Sequence, residues 1–168
     1  QENLFEEVGL PILSWVFDGF NCCVFAFGQT GSGKTYSMMG DLNKGAEQYG
    51  LTPRICFALF DRVGQLGREE TGPSEVSVTF SHMEIYNETV VDLLAPAPPP
   101  GKRQSSLRIR EHPKYGVFVQ DLTRVRVTSF EEILGLIAIG DKNRTVAMTR
   151  TNSHSSRSHA VVTLPIIQ

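Results

Sequence analysis

The sequence predicts a three-layer α/β fold, and three observations carry that expectation. Residues 28–35 form a Gly-x4-Gly-Lys-Thr run. The apolar stretch Cys22-Cys23-Val24-Phe25-Ala26-Phe27 stands immediately before it and suits a buried strand. Strand-like and helix-like patterns alternate along the rest of the chain, which is how strands layered with helices are written. The Gly-rich run comprises Gly28, Gln29, Thr30, Gly31, Ser32, Gly33, Lys34 and Thr35. In such a loop a strand ends, glycines turn the chain tightly, and a helix begins with its amides aimed at the turn. Its backbone N–H groups can cradle phosphates. The Lys34 ammonium can reach the β- and γ-phosphates, and the Thr35 hydroxyl can ligate Mg²⁺.

Bulk properties narrow the class. The chain has 168 residues, enough for one domain with a sizeable core, and 40% apolar with 20% charged residues is ordinary for a soluble globular protein. No apolar run is long enough to span a bilayer, so no transmembrane segment is expected. The acidic start, Gln1-Glu2-Asn3-Leu4-Phe5-Glu6-Glu7, lacks the pattern of a secretory leader, and without Met the chain is expected to start inside a longer protein. A net charge of −2 names no polyanionic partner, and no nucleic acid is expected. Cys22, Cys23 and Cys56 have no metal-ligand spacing; they are expected to be small core residues in a reducing compartment. No zinc site is expected.

The elements follow in order. Residues 3–18 carry an apolar stripe of Phe5, Val8, Ile12, Trp15 and Val16 and predict a helix, with Pro11 a mild interruption. Asp18-Gly19-Phe20-Asn21 is a stop and turn. After the apolar strand and Gly-rich loop, a helix runs from Lys34 to about Met39, and residues 41–50 form a loop. Thr52-Pro53 reads as N-cap and first helical residue, ahead of Ile55, Leu59, Val63 and Leu66. Residues 75–86 alternate, with Val76, Val78, Phe80 and His82 on one face of a strand. Residues 90–94 are a second short apolar element, and Pro96, Pro98, Pro99, Pro100 and Gly101 mark an exposed loop. Residues 107–110, 117–120 and 123–127 are short strand candidates. A helix opens near Thr128-Ser129, with Thr128 and Glu131 or Ser129 and Glu132 as the capping box, and continues to about Ala147. Residues 161–167 form a last strand, with Pro165 at an edge or bulge.

Beyond that last helix lies Asn152-Ser153-His154-Ser155-Ser156-Arg157-Ser158-His159. Taken alone it is a polar, basic loop; beside a phosphate loop it becomes a second candidate site. This run resembles the switch I signature of kinesin motor domains. The stretch from Phe25 to Met38 is similar to their phosphate loop. Glu84-Ile85-Tyr86-Asn87-Glu88 with Asp92-Leu93-Leu94, Leu107-Arg108-Ile109-Arg110-Glu111-His112, and Asn143-Arg144-Thr145-Val146-Ala147 resemble further blocks of the same family, in the same order. Arg-Glu-His-Pro and Ser-Arg-Ser-His-Ala-Val are most like the third, N-terminal-motor cargo-transport kinesin family. Residues 1–168 are thereby identified as a partial motor domain with a phosphate-loop NTPase, kinesin-motor-like fold, incomplete at both ends.

The resemblance implies an ATPase that uses ATP and Mg²⁺ to move along microtubules, placed in the cytoplasm on the microtubule cytoskeleton. It places the phosphates on Gly28–Thr35 and the adenine against Tyr36. Thr35 and Ser156 would approach Mg²⁺. Ser155 would position or relay a proton from the attacking water, Asn152 would contact the phosphate region, and Arg157 would pair with a switch II glutamate. Arg110, His112 and Lys114 would face acidic tubulin, or be ordinary solvated charges. Asp92, at the end of an apolar run, imitates a Mg²⁺-holding residue, but its position in the family pattern argues against a metal role. The family's Arg-x-Arg-Pro strand and its Asp-Leu-Ala-Gly-Ser-Glu switch II have no match here. Cargo or adaptor contacts would fall outside this chain. Two alternatives stand beside the motor: a truncated, non-motile nucleotide- or partner-binding module, and an unrelated phosphate-loop NTPase. The latter leaves the Asn152–His159 run unexplained and lacks a guanine-reading Asn-Lys-x-Asp.

Overall fold

The first apolar stripe forms a helix, though not a uniform one. Glu2–Leu4 (α1) leads into a π-helical stretch, Phe5–Gly9, which leads into Leu10–Phe17 (α2). Pro11 sits in the first turn of α2. Its ring supplies no N–H and crowds the carbonyl four residues back, and the wider π turn upstream accommodates both. The helix stops where the sequence predicts, with Gly19 N–H bonded to Val16 O at 3.0 Å and Phe20 N–H to Trp15 O at 2.9 Å. The computed structural model describes residues 1–66, 76–96, 98, 104–114, 116–151 and 158–167. It divides the chain into two units, Gln1–Glu75 and Val76–Gln168.

In the first unit the expected buried strand over residues 22–27 is not formed. These residues take no regular secondary structure, and Phe25 and Phe27 are 81% and 94% exposed. A strand exists through its ladder, and among the described residues none pairs with this segment. The expectation of three core cysteines is corrected with it: Cys23 is exposed and Cys22 half-buried, while Cys56 is fully buried. Lys34–Met38 (α3) follows the loop. The stretch to residue 50 is a closed excursion around a 3₁₀ turn, Ala46–Gln48. Asp41 N–H meets Gln48 O at 2.9 Å, Gly50 N–H meets Met39 O at 3.0 Å, and Arg54 donates to the carbonyls of Ala46, Glu47 and Tyr49.

Leu51–Leu66 (α4) starts one residue ahead of the expected cap at Thr52. Pro53 still falls in its first turn, where a missing N–H leaves no bond unmade. Leu51, Pro53, Cys56 and Leu59 form its buried face, and α4 packs on α2 and on the π-helical stretch. The Arg62 guanidinium lies 5.9 Å from the Phe17 ring centroid.

The second unit is built around Ser77–Tyr86 (β1). Thr89–Asp92 (β2) returns antiparallel through the two-residue turn Asn87-Glu88. Both turn residues have positive φ, 46° and 61°. A two-residue hairpin needs that backbone so its twist matches the strands. Ile109–His112 (β3) and Gly116–Val119 (β4) form a separate antiparallel pair. Val125–Val127 (β5) pairs with the first half of β1, Val78 to Phe80. Ser158–Thr163 (β6) runs along Ser81 to Tyr86, and Ile166–Ile167 (β7) along Ser77 and Val78. β2 and β6 share the same β1 residues, so they occupy opposite edges. Pro165 makes the break between β6 and β7, its carbonyl accepting from Thr79 N–H at 3.0 Å. All these pairings are antiparallel.

Phe130–Thr151 (α5) covers one face of β1. Its start uses the second predicted cap: Ser129 Oγ accepts from Glu132 N–H at 3.3 Å, while the Glu132 carboxylate accepts from Thr128 N–H at 2.7 Å. It runs past the predicted end at Ala147 to Thr151. Ile133 and Ile137 are fully buried on it, and Val78, Phe80 and His82 on β1. Burial at alternate β1 positions is what the sequence predicts, and it extends to Glu84. Asp92 is buried as well. Oδ1 accepts from Leu94 N–H at 2.8 Å and Ala95 N–H at 3.2 Å, and Oδ2 from Thr123 N–H at 2.8 Å. Its carboxylate organises the chain after β2, a structural task that answers its resemblance to a metal ligand.

Candidate nucleotide site

The loop between residues 28 and 33 is shaped by glycine. Gly31 and Gly33 have φ of 83° and 90°, the left-handed region where a Cβ is strained. Gly33 is the N-cap of α3. Ser32 N–H bonds Gln29 O at 3.2 Å and closes the turn, and Ser37 N–H bonds Gly33 O at 2.8 Å and starts the helix. Gly31 and Gly33 are exposed, and among the described residues nothing stands within 4 Å of where a side chain would be. At Gly28 a Cβ would meet Ser32 Oγ at 2.5 Å.

Lys34 completes the loop. Its Nζ donates to Gly28 O at 2.6 Å and Gln29 O at 2.7 Å, so the side chain curls back over the turn that precedes it. An ammonium carries three donors and no acceptor. Two are bound to loop carbonyls among the described residues, which holds the positive charge at the mouth of the loop. Gln29, Thr30, Gly31, Ser32 and Thr35 are exposed beside it. Exposed glycines, an ammonium held by the loop and an exposed hydroxyl suit an anion with several oxygens, and the Thr35 hydroxyl suits a hard cation such as Mg²⁺.

Tyr36 is about half exposed; its hydroxyl lies 3.3 Å from Gln48 Oε1, and its carbonyl accepts from Gln1 Nε2 at 2.7 Å. Sequence reasoning left Gln48 out, and no pattern marks it, because the contact crosses the 41–50 loop. The structure thus brings together Gly28 to Tyr36. Asn152, Ser155, Ser156 and Arg157 lie outside the described residues, and so does the second half of the predicted site.

A polar cluster in the second unit was also unassigned. Arg144 Nε donates to Glu84 Oε1 at 2.9 Å, and Arg144 Nη2 donates to Ser158 Oγ at 2.9 Å. Asn143 Nδ2 donates to Leu93 O at 2.8 Å. The signal was available: Glu84 continues the Val78, Phe80, His82 face, and a carboxylate on a buried face requires a cation. Beside it, burial, with the Arg144 charge adding to it, lowers the His82 pKa to about 4. The Asp141 carboxyl is pushed up by burial. Among the described residues no group of three or more His, Cys, Asp or Glu side chains could hold a metal, and no helix is long and apolar enough to cross a membrane.

The Gly-rich turn that opens α3 has the layout of a phosphate loop. The family model for the kinesin motor domain matches residues 1–168, and the chain belongs to that family. Kinesin-like protein KIF13A of Mus musculus is 51% identical over the full 168 residues, and kinesin-like protein unc-104 of Caenorhabditis elegans is 45% identical over the same span. Both stand with the third kinesin family, as the motifs implied. The chain spans 9% of the length of the first and 10% of the second. Among solved structures, one described as a fast kinesin, with implications for ATPase mechanism and interactions with microtubules, matches at TM-score 0.87 and 34% identity, over 99% of this chain and 44% of that one. A KIF14 dimer with AMP-PNP in complex with a microtubule matches at 0.84 and 38%, over 99% and 43%. The α/β kinesin fold expected from the sequence is therefore the fold of this chain.

Proposed function

We propose that this chain is the ATP-binding part of a microtubule motor, hydrolysing ATP by in-line attack of water on the γ-phosphoryl group. One observation supports this most: the Lys34 ammonium held on Gly28 O and Gln29 O, over a loop whose Gly31 and Gly33 are exposed. Catalysis of this kind depends on positioning and charge rather than on a covalent intermediate. The loop amides and Lys34 bind and orient the β- and γ-phosphates, and Tyr36 packs against the base. Thr35 and Ser156 would hold Mg²⁺, which would supply positive charge against the phosphate oxygens. Ser155 positions the attacking water or relays its proton, Asn152 contacts the phosphate region, and Arg157 carries the response onward by pairing with a switch II glutamate. The partner surface is the microtubule, met in part through Arg110, His112 and Lys114.

The test is Mg·ATP binding with Lys34→Ala beside it. The substitution removes a charged contact to the β,γ-phosphates, and affinity falls by about 100-fold or more. Unchanged affinity would refute the assignment of Lys34. A second reading, a non-motile nucleotide- or partner-binding module, draws on the unpaired 22–27 segment and its exposed phenylalanines. A chain that binds Mg·ATP but shows no microtubule-stimulated turnover in its full-length protein would favour it.

A further inference from the structure

Arg144 ties three elements at one point. It leaves α5, pairs with the buried Glu84 of β1, and donates to Ser158, the first residue of β6. Each bond is 2.9 Å, and Nε and Nη2 of one planar guanidinium make both. A rigid fork that satisfies two partners fixes their relative position, which a lysine cannot do. Ser158 is also locked into the ladder opposite Tyr86. It follows Arg157 directly in sequence. The point at which the chain re-enters the sheet after residue 157 is therefore set by Arg144 on Glu84.

We propose that Arg144 is a positioning residue for the γ-phosphate response, acting through Glu84 and Ser158 to hold the start of β6 in register. It touches neither nucleotide nor metal. The proposal rests on the reading above, in which Asn152 to Arg157 respond to the γ-phosphate. Its chemistry predicts a selective effect. The diphosphate is held by Gly28 to Thr35, remote in sequence from Ser158, and its affinity stays unchanged. The affinity for a non-hydrolysable triphosphate analogue falls.

The experiment measures ADP and AMP-PNP affinities in the full-length motor carrying Arg144→Lys, Ser158→Ala or Ser158→Thr. Arg144→Lys keeps the charge beside Glu84 and loses the fork. Arg144→Lys and Ser158→Ala lower AMP-PNP affinity by about 10-fold and leave ADP affinity within about twofold, while Ser158→Thr, which keeps a hydroxyl, restores the wild-type ratio. Equal losses for both nucleotides, or no change in the ratio, would overturn the proposal, since a purely structural role weakens both together or neither. Ser155→Ala in the same motor separates the two layers. If it leaves the ratio unmoved, the γ-phosphate reading itself fails. If it moves the ratio while Arg144→Lys does not, only the positioning role fails.

Discussion

Gly140 of α5 lies against the His82 ring of β1 so closely that a Cβ there would stand 2.1 Å from Nδ1 and 2.8 Å from Cε1. The absent side chain is what lets α5 approach the sheet at this height, between Ile137 and the Arg144–Glu84 pair. His82 is buried, and the ring cannot swing aside without disturbing Phe80, its edge-on neighbour with centroids 6.3 Å apart. Gly140→Ala therefore costs about 1–3 kcal/mol by overpacking, despite the higher helix propensity of alanine. Urea denaturation measures it. A stabilised Gly140→Ala variant would show that α5 lies farther from β1.

His82 also makes stability pH-dependent. Burial lowers its pKa to about 4 from 6.5, aided by Arg144 and opposed by Glu84 and Asp92. The unfolded chain therefore binds a proton in a range where the folded one does not. The stability is fully present above pH 6.5 and is lost as pH falls toward 4. Between pH 7 and pH 5 the loss from this group is about 2 kcal/mol. Its Nδ1 has no hydrogen-bond partner among the described groups, so protonation would add a buried donor without an acceptor. Unfolding free energies at the two pH values, for wild type and His82→Gln, isolate the term. The same slope in both would assign it elsewhere.

Local signals carried most of this fold. The alternation of Val78, Phe80 and His82 has period two, and it marks β1 whatever lies around it. Ser129 and Glu132 mark the start of α5 through bonds three residues apart. The Gly-rich loop is legible because its glycines do a backbone job, visible as positive φ at Gly31 and Gly33. What failed depended on partners distant in sequence. Residues 22–27 have the composition of a strand, but composition does not supply a ladder. Asp92 reads as an end-of-strand acid, and only the chain's return at Thr123 reveals what its carboxylate does.

Asp92 illustrates how such a residue can be tested. Both its oxygens accept backbone N–H groups, at Leu94, Ala95 and Thr123. Asp92→Asn turns one acceptor into a donor facing an amide and costs about 2–3 kcal/mol. Thermal denaturation reads the loss, while the Mg²⁺ concentration needed for nucleotide binding stays the same. A changed Mg²⁺ requirement without a stability loss would instead favour a metal role, against the sequence expectation.

The cysteines divide by environment. Burial pushes the Cys56 thiol up to about 12, so almost no thiolate exists near neutral pH, and the side chain is inaccessible. Cys23 is exposed. A maleimide reagent at pH 7.5 therefore labels Cys23 in the native protein and leaves Cys56 unmodified until urea unfolds it. Mass-mapped peptides distinguish the two. Rapid native labelling of Cys56 would mean that α4 opens readily.

The hairpin of β3 and β4 concentrates exposed basic side chains. Arg108, Arg110, His112 and Lys114 lie along it with Ile109 and Val117, and the Arg110 Nε donates to Gln120 Oε1 at 3.1 Å. That bond fixes the guanidinium's direction at little cost in charge, because glutamine is neutral. An acidic filament surface would gain from such an array through screened, exposed charge contacts, each worth no more than about 1 kcal/mol. Arg110→Ala combined with Lys114→Ala in the full-length motor should weaken microtubule co-sedimentation about 3- to 10-fold at low salt. The difference should shrink as added salt shortens the Debye length. ATP affinity should stay unchanged, since neither Arg110 nor Lys114 is among the residues assigned to the nucleotide. Microtubule affinity that is unaltered at every salt concentration would make these residues ordinary solvated charges and move the filament contact to other parts of the protein.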